Sequence, residues 1–263
     1  MTYISTISHT KGEVIDQCLL RYHYRYNKKY VGENTNEEPL NFGSYIHKIF
    51  ELGVSSSTVE ELQVISEQIQ QEYKVPKARS RDTEICLKNF KEFNNKLKGN
   101  NIACELHGKI DLAEGVQYEF VIDRVIIGEE GGVLIIDYKT SKREKSKVDL
   151  FLDNQLKGYA YAIHELYGIP FDKITCAHYY PLSNNLVTVR YSSSMIFEWK
   201  NKQIKKVWRV RKMTKESFFP CENQFCNWCE YKNKLCPKFA SNEVIKEAIA
   251  QEEHRLEEAR LKK

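Results

Sequence analysis

The sequence predicts an α/β domain: a central mixed sheet flanked by helices, with a helical amino-terminal region and a cysteine-rich carboxy-terminal one. Three observations lead there. Residues 102–112, 117–127 and 133–139 read as a three-stranded meander, with Gly128-Glu129-Glu130-Gly131-Gly132 as the turn between the last two. Both faces of those last two strands are apolar, as in Val133-Leu134-Ile135-Ile136, so each face needs a covering layer. Helical periodicity occupies the segments on either side.

In chain order, residues 11–30 read as a helix rich in aromatics and bases, followed by a polar, acidic loop over 32–39. Helices are expected over 41–53 and 58–73, the second with Val59, Leu62, Ile65 and Ile69 on one stripe. A basic break at 76–82 leads into a helix over 83–98. After the meander comes a helix over 150–167, with Leu156, Ala160 and Ile163 inward, stopped by Gly168-Ile169-Pro170. Strands over 174–180 and 186–191 precede a basic helix over 193–213, a cysteine-rich knot over 220–237 and a charged, solvent-facing helical tail. The expected organisation is one domain over 1–240 (1–100 mainly helical, 101–192 sheet and helix, 193–240 basic helix and cysteines) and a tail over 241–263.

The 263 residues carry a net charge of only +4, so an anionic partner must be read from where the charge sits. No run of about 18 apolar residues suggests a membrane span. Met1-Thr2-Tyr3-Ile4-Ser5 lacks the basic start and apolar core of a signal peptide, so a cytoplasmic location is expected. There, eight cysteines stand as thiols or metal ligands rather than disulfides.

The chemistry centres on Asp137-Tyr138-Lys139. In a strand, side chains two apart share a face, so Asp137 and Lys139 project together and Tyr138 points away. If the turn at 128–132 is symmetric, Ile127 faces Val133, Val125 faces Ile135, and Asp123 lands opposite Asp137. Opposed carboxylates destabilise a sheet unless a cation lies between them. A divalent cation there, with a lysine beside it, would suit phosphodiester hydrolysis. Upstream, His47 and Glu51 lie one helical turn apart, on a face with Gly43, which implies close packing against the sheet. His47 is a candidate metal ligand and Glu51 its supporting partner. Downstream, Gln155 and Tyr159 share a helix face that can meet the lysine or a substrate phosphate.

In order these elements are GxxxHxxxE, IDR, DYK and QLxxY. The chain thereby resembles the PD-(D/E)XK nucleases of the RecB family, including RecB and AddB nuclease domains and CRISPR-associated RecB-like exonucleases, over roughly residues 4–240. The resemblance implies a restriction-endonuclease-like core. It implies that His47, Asp123, Asp137 and the Tyr138 carbonyl hold Mg²⁺ or Mn²⁺. It implies Lys139 as the catalytic lysine, with Gln155 and Tyr159 as accessory residues. Asp at the acidic position before the lysine is allowed in the family.

Cys226-Asn227-Trp228-Cys229 followed by Cys236 is a compact metal-binding spacing that needs a fourth ligand. Cys221 would complete a local knuckle suited to Zn²⁺. Cys18, in Cys18-Leu19-Leu20-Arg21-Tyr22, resembles the amino-terminal cysteine of the iron–sulfur members of the family, in which one early and three late cysteines clasp a [4Fe-4S] cluster. Leucine here replaces the proline usual after that cysteine, and the last spacing, six residues, is long for the family. Cys86, Cys104 and Cys176 sit in apolar surroundings and read as ordinary buried residues.

Lys142, Arg143 and Lys145 follow the active strand directly and suit a phosphate backbone. A second basic run lies on the helix around Lys200–Lys212, with Trp199 and Trp208 among it. The resemblance implies a metal-dependent DNA exonuclease on single-stranded ends, 5′ to 3′ favoured, in recombination, repair or phage DNA metabolism. A structure-selective or nicking endonuclease with the same site and a non-catalytic DNA-binding accessory subunit are the alternatives. No Gly-x-x-x-x-Gly-Lys motif is present, so unwinding would fall to a partner such as a helicase or recombination protein.

Overall fold

A computed structural model describes residues 4–33, 38–214 and 217–262, so the middle of the expected 32–39 loop lies outside the described residues. The chain forms two compact units, Glu37–Lys202 and the paired ends Met1–Asn36 with Gln203–Lys263.

Its elements are β1 (Thr6–Ser8), α1 (His9–Gln17), α2 (Leu19–Tyr22), a π-helical turn (His23–Lys28), α3 (Glu38–Leu52), α4 (Val59–Ile69), α5 (Ser80–Lys96), β2 (Asn100–Ala113), β3 (Val116–Ile127), β4 (Val133–Tyr138), α6 (Lys147–Leu152), α7 (Asn154–Tyr167), β5 (Ile174–Tyr180), β6 (Asn185–Val189), α8 (Ser193–Arg211) and α9 (Asn242–Leu261).

In the larger unit, β2 to β6 lie side by side in chain order. β2–β3, β3–β4 and β5–β6 pair antiparallel, and β4–β5 parallel, so the sheet is mixed. The parallel step needs a crossover, supplied by α6 and α7. On one face α3, α4 and α5 bury Ile46, Ile49, Phe50, Leu62, Leu87 and Phe90 against Ile126, Ile136, Tyr138 and Tyr179. Phe50 and Phe90 stack at 3.8 Å, with the Tyr138 ring edge-on to both. Tyr138 therefore points away from its neighbours in the triplet, as alternation requires.

On α7 the side chains of Leu156, Ala160 and Ile163 are buried. Gly158 has a structural reason: a Cβ there would lie 2.4 Å from the buried Tyr118 hydroxyl. Gly158→Ala gains helix propensity but forces the Tyr118 ring, which packs edge-on against Trp199, to move. The expected net cost is about 2 kcal/mol, read as a lower urea or thermal midpoint. Gly43 is less constrained than expected, since a Cβ there would meet Thr140 Oγ1 at an ordinary 3.4 Å.

Three helix expectations change. The first helix breaks at Cys18, whose backbone is extended (φ −162°, ψ 117°). The expected 150–167 helix splits at Asp153, whose carboxylate accepts the Gln155 and Leu156 amides at 2.8 and 3.0 Å and caps α7. The tail is not a solvent-facing appendage. Within the end unit Ala248 joins Tyr30, Tyr231 and Leu235 in a small core. Buried Glu252 accepts the Val31 amide at 3.0 Å, and Arg255 donates to the Lys29 carbonyl at 2.8 Å. Among the described residues, no helix is long and apolar enough to cross a membrane.

Candidate active site

The turn register is as expected, with Ile127 opposite Val133 and Val125 opposite Ile135. The ladder stops at Arg124–Ile136, one pair short of Asp123 and Asp137. Instead, the Asp123 carboxylate accepts the Tyr138 amide at 2.6 Å. Both acids are buried, 8 % and 2 % exposed, at the end of an apolar sheet.

His47, from α3, closes one side. Its Nδ1 donates to Asp123 Oδ1 at 3.2 Å and its Nε2 to the Tyr138 carbonyl at 2.9 Å. Two acceptors on one imidazole favour the doubly protonated ring. Burial alone would lower its pKa, but the Asp123 and Asp137 carboxylates outweigh burial and push it up to about 9. Asp137 is pushed up to about 6 by burial, with Lys139 pulling it down and Asp123 pushing it further up.

Lys139 closes the other side. Its ammonium lies 2.7 Å from Asp137 Oδ2 and donates to Gln155 Oε1 at 3.1 Å. The Gln155 amide donates in turn to the Tyr159 hydroxyl at 2.7 Å. Burial pulls the Lys139 pKa down, but Asp137 raises it above its ordinary value, so the lysine is a cation at neutral pH. A cationic ammonium can stabilise negative charge but cannot accept a proton. Glu51 accepts from Lys48 at 2.9 Å and shares a depression with His47 and Glu105.

Three residues join the site that sequence reasoning did not single out. Glu105, on β2, lies between the pairs Cys104–Arg124 and Leu106–Ile122, across from Asp123. Its φ of 51° is strained for a side-chain-bearing residue. Glu105, His47 and Asp123 offer donor atoms all within 4.8 Å of one another, the one such set among the described residues. A symmetric turn in the first hairpin would put Leu106 opposite Asp123; the register shift between Asp111 and Ala113 brings Glu105 there instead. His178, on β5, is the parallel partner of Asp137 and fully buried, its Nε2 3.7 Å from Asp137 and 3.9 Å from Asp153. Burial holds its pKa down at about 4, so the ring is neutral. Burial works to raise Asp153, but Lys145 at 2.7 Å keeps it ionised.

Residues 6–237 match the sequence profile of the PD-(D/E)XK nuclease superfamily. The chain belongs to that superfamily. A solved structure described as "Crystal structure of SSO0001" aligns with 92 % of this chain and 90 % of its own, at 15 % identity and a TM-score of 0.41. No curated protein sequence matches the chain. The nuclease is therefore assigned by its profile and the mixed sheet flanked by helices, and its site residues are read from the geometry.

The donors suit a hard divalent cation: His47, Glu105 and Asp123 lie within mutual reach, the Tyr138 carbonyl is on His47, and Asp137, outside that set, is still raised by burial and by the charge of Asp123. Of the basic residues, Lys142 and Arg143 are exposed, while Lys145 holds Asp153. Three members of the second basic run are engaged internally: Lys200 with the Tyr161 hydroxyl and Lys202 with Glu198 in the larger unit, and Lys206 with Asp16 in the end unit.

In the end unit of the nuclease, Cys18, Cys221, Cys226, Cys229 and Cys236 line one hollow. No three of their sulfurs come within 4.8 Å of one another. Asn223 donates to the Gln17 carbonyl at 2.8 Å and Arg21 pairs with Glu230 at 2.7 Å, so the amino-terminal segment is tied to the late cysteines. Cys86 and Cys176 are buried as expected, and Cys104 is half-buried.

Proposed function

We propose that this nuclease is a Mg²⁺- or Mn²⁺-dependent, RecB-like DNA exonuclease acting on single-stranded ends, with 5′ to 3′ as the favoured direction. The observation that carries the reading is the meeting of His47, Asp123, Asp137 and the Tyr138 carbonyl with Lys139 at one sheet end. A binding module gains nothing from two carboxylates buried together, where the charge of Asp123 adds to the burial that raises Asp137. A bound divalent cation would lower the pKa of a coordinated water and stabilise charge on the phosphate and leaving 3′ oxygen. Asp123, Asp137, His47 and the Tyr138 carbonyl would hold it, with Glu105 as a further carboxylate. Lys139, aimed by Gln155 and Tyr159, orients the attacking water and offsets phosphate charge. The four cysteines Cys18, Cys226, Cys229 and Cys236 are proposed to hold a [4Fe-4S] cluster. Supporting this are the shared hollow and the ties between the two chain ends. Lys142, Arg143 and Lys145 face the DNA, and a helicase or recombination protein is the proposed partner.

End-labelled single- and double-stranded DNA, with and without Mn²⁺, tests the function. Loss of terminal label from single strands only with metal supports it. Cutting of covalently closed circles would favour the endonuclease alternative, and absence of any digestion would sink the reading.

The site also predicts a pH signature. His47 at about 9 and Asp137 at about 6 are both raised above their unfolded values. Each stabilises the metal-free fold fully below its unfolded pKa and ceases to as pH rises through its folded pKa. Metal-free melting temperature should fall between about pH 4 and 9 through these groups. A cation needs neutral His47 and ionised Asp137, so Mn²⁺ should raise the melting temperature more at pH 8.5 than at pH 6. Thermal scans across that range, with and without Mn²⁺, check both trends. An Mn²⁺ shift that shrinks with pH would contradict the site.

A further inference from the structure

Between β4 and α7 the chain is exposed almost throughout residues 141–152, yet it is firmly held. Glu144 accepts from Ser183 and Asn185, and the Lys145 amide donates to the Tyr180 hydroxyl at 2.8 Å. Ser146 and Asp149 form a reciprocal cap on α6. Leu150 is buried and its carbonyl accepts the Tyr191 hydroxyl. The two acids of the segment are thus spent on internal bonds.

What this frame presents outward is unusual. Val148, Phe151 and Leu152 are 71, 47 and 67 % exposed on a six-residue helix, beside exposed Lys142, Arg143 and Lys147. The patch adjoins the chemistry. Leu152 is separated from Gln155, which holds the Lys139 ammonium, by the α7 cap Asp153 and Asn154. Asp153 in turn binds Lys145 and lies 3.9 Å from His178, the neighbour of Asp137.

Exposed apolar side chains in a segment whose unpaired exposed charges are cations suit a polyanion that also offers flat apolar faces. An unpaired nucleic-acid strand is such a partner, because its bases present π-faces that a duplex keeps stacked. We propose that α6 is the base-contacting edge of the substrate path: Phe151, with Val148 and Leu152, receives unpaired bases while Lys142, Arg143 and Lys147 hold the flanking phosphates. This rests on the nuclease reading above and deepens it, since the edge makes the site select single strands and splayed ends over closed duplex.

The test compares wild type with Phe151→Ala, Phe151→Trp and Leu152→Ser. The readouts are binding of a 2-aminopurine-labelled single strand, digestion of it with Mn²⁺, and cleavage of bis(p-nitrophenyl) phosphate, which has no bases. Phe151→Ala should weaken single-strand binding on the order of tenfold. The ratio of oligonucleotide to small-diester cleavage should fall by a similar factor. Duplex binding should change far less, and Phe151→Trp should restore the quenching of 2-aminopurine. Unchanged single-strand affinity in a wild type that digests DNA would overturn the α6 proposal alone. Wild type inert on both DNA and the small diester would overturn the nuclease reading and this one with it. Self-association of wild type that Phe151→Ala abolishes, with strand affinity unmoved, would assign the patch to a second copy and overturn it too.

Discussion

Asp137→Asn is expected to abolish Mn²⁺-dependent digestion, by at least about 10³-fold, while raising the stability of the metal-free protein. Both effects come from one buried carboxylate. At 2 % exposure and beside Asp123, its ionised form is costly, and burial pushes its pKa up to about 6. A neutral isostere removes a penalty of up to about 3 kcal/mol at neutral pH, part of which is given back because Lys139 loses its 2.7 Å partner. The net gain should be on the order of 1–2 kcal/mol, visible as a melting temperature a few degrees higher. The same variant should lose the Mn²⁺-induced stabilisation and keep its affinity for DNA, since the proposed phosphate contacts are made by other residues. A variant that is stabilised yet digests normally would show that Asp137 is a buried acid without a catalytic role. Loss of digestion with unchanged Mn²⁺ stabilisation would move the cation to His47, Asp123 and Glu105.

Cys18→Ser is expected to have the second largest effect. Wild type purified without oxygen should absorb near roughly 400 nm, and the variant should be colourless. Because ligand binding at such a site is folding energy, loss of it should cost several kcal/mol on the order seen for structural metals, concentrated in the end unit. Limited proteolysis reads this out as cleavage within 203–262 at protease levels that leave wild type intact. Cys221→Ser discriminates the fourth ligand. It lines the same hollow, but its thiol is exposed, and its loss should leave the colour. Colourless wild type with one zinc per chain, retained in Cys18→Ser and lost in Cys221→Ser, would replace the cluster with a local zinc knuckle.

The two halves of the site differ in how far the sequence specifies them. Asp123, Asp137 and Lys139 come from one tight antiparallel hairpin, where turn length and a period of two place side chains without knowledge of anything distant. Gln155 and Tyr159 follow from helical spacing on the next element. Glu105 lies one hairpin further out, where the same mirror argument would choose Leu106; a register shift in β2 and a left-handed backbone, neither with a signature in the residue itself, bring Glu105 across from Asp123. The tail reads as solvent-facing because its apolar residues are few among many Glu, Lys and Arg. In the structure Ala248, Ile249 and Leu256 pack into the small core, and Glu252 accepts the amide of Val31, more than two hundred residues away.

Local sequence therefore determined the chemistry: the hairpin, the acid–lysine triplet, the helix bearing His47 and the cysteine spacing all arise from short-range geometry. Tertiary structure alone decided what surrounds it. His178 reaches Asp137 only because β5 pairs parallel to β4 across a crossover, a register no local pattern encodes. Glu105 reaches His47 only because α3 packs over the sheet end, bringing together residues separated by nearly sixty positions. The union of Cys18 with Cys226, Cys229 and Cys236 in one hollow depends on the two chain ends folding as one unit. Short-range turns and periodicities fix which groups can act, whereas long-range burial fixes their neighbours, and with them the direction in which each pKa moves.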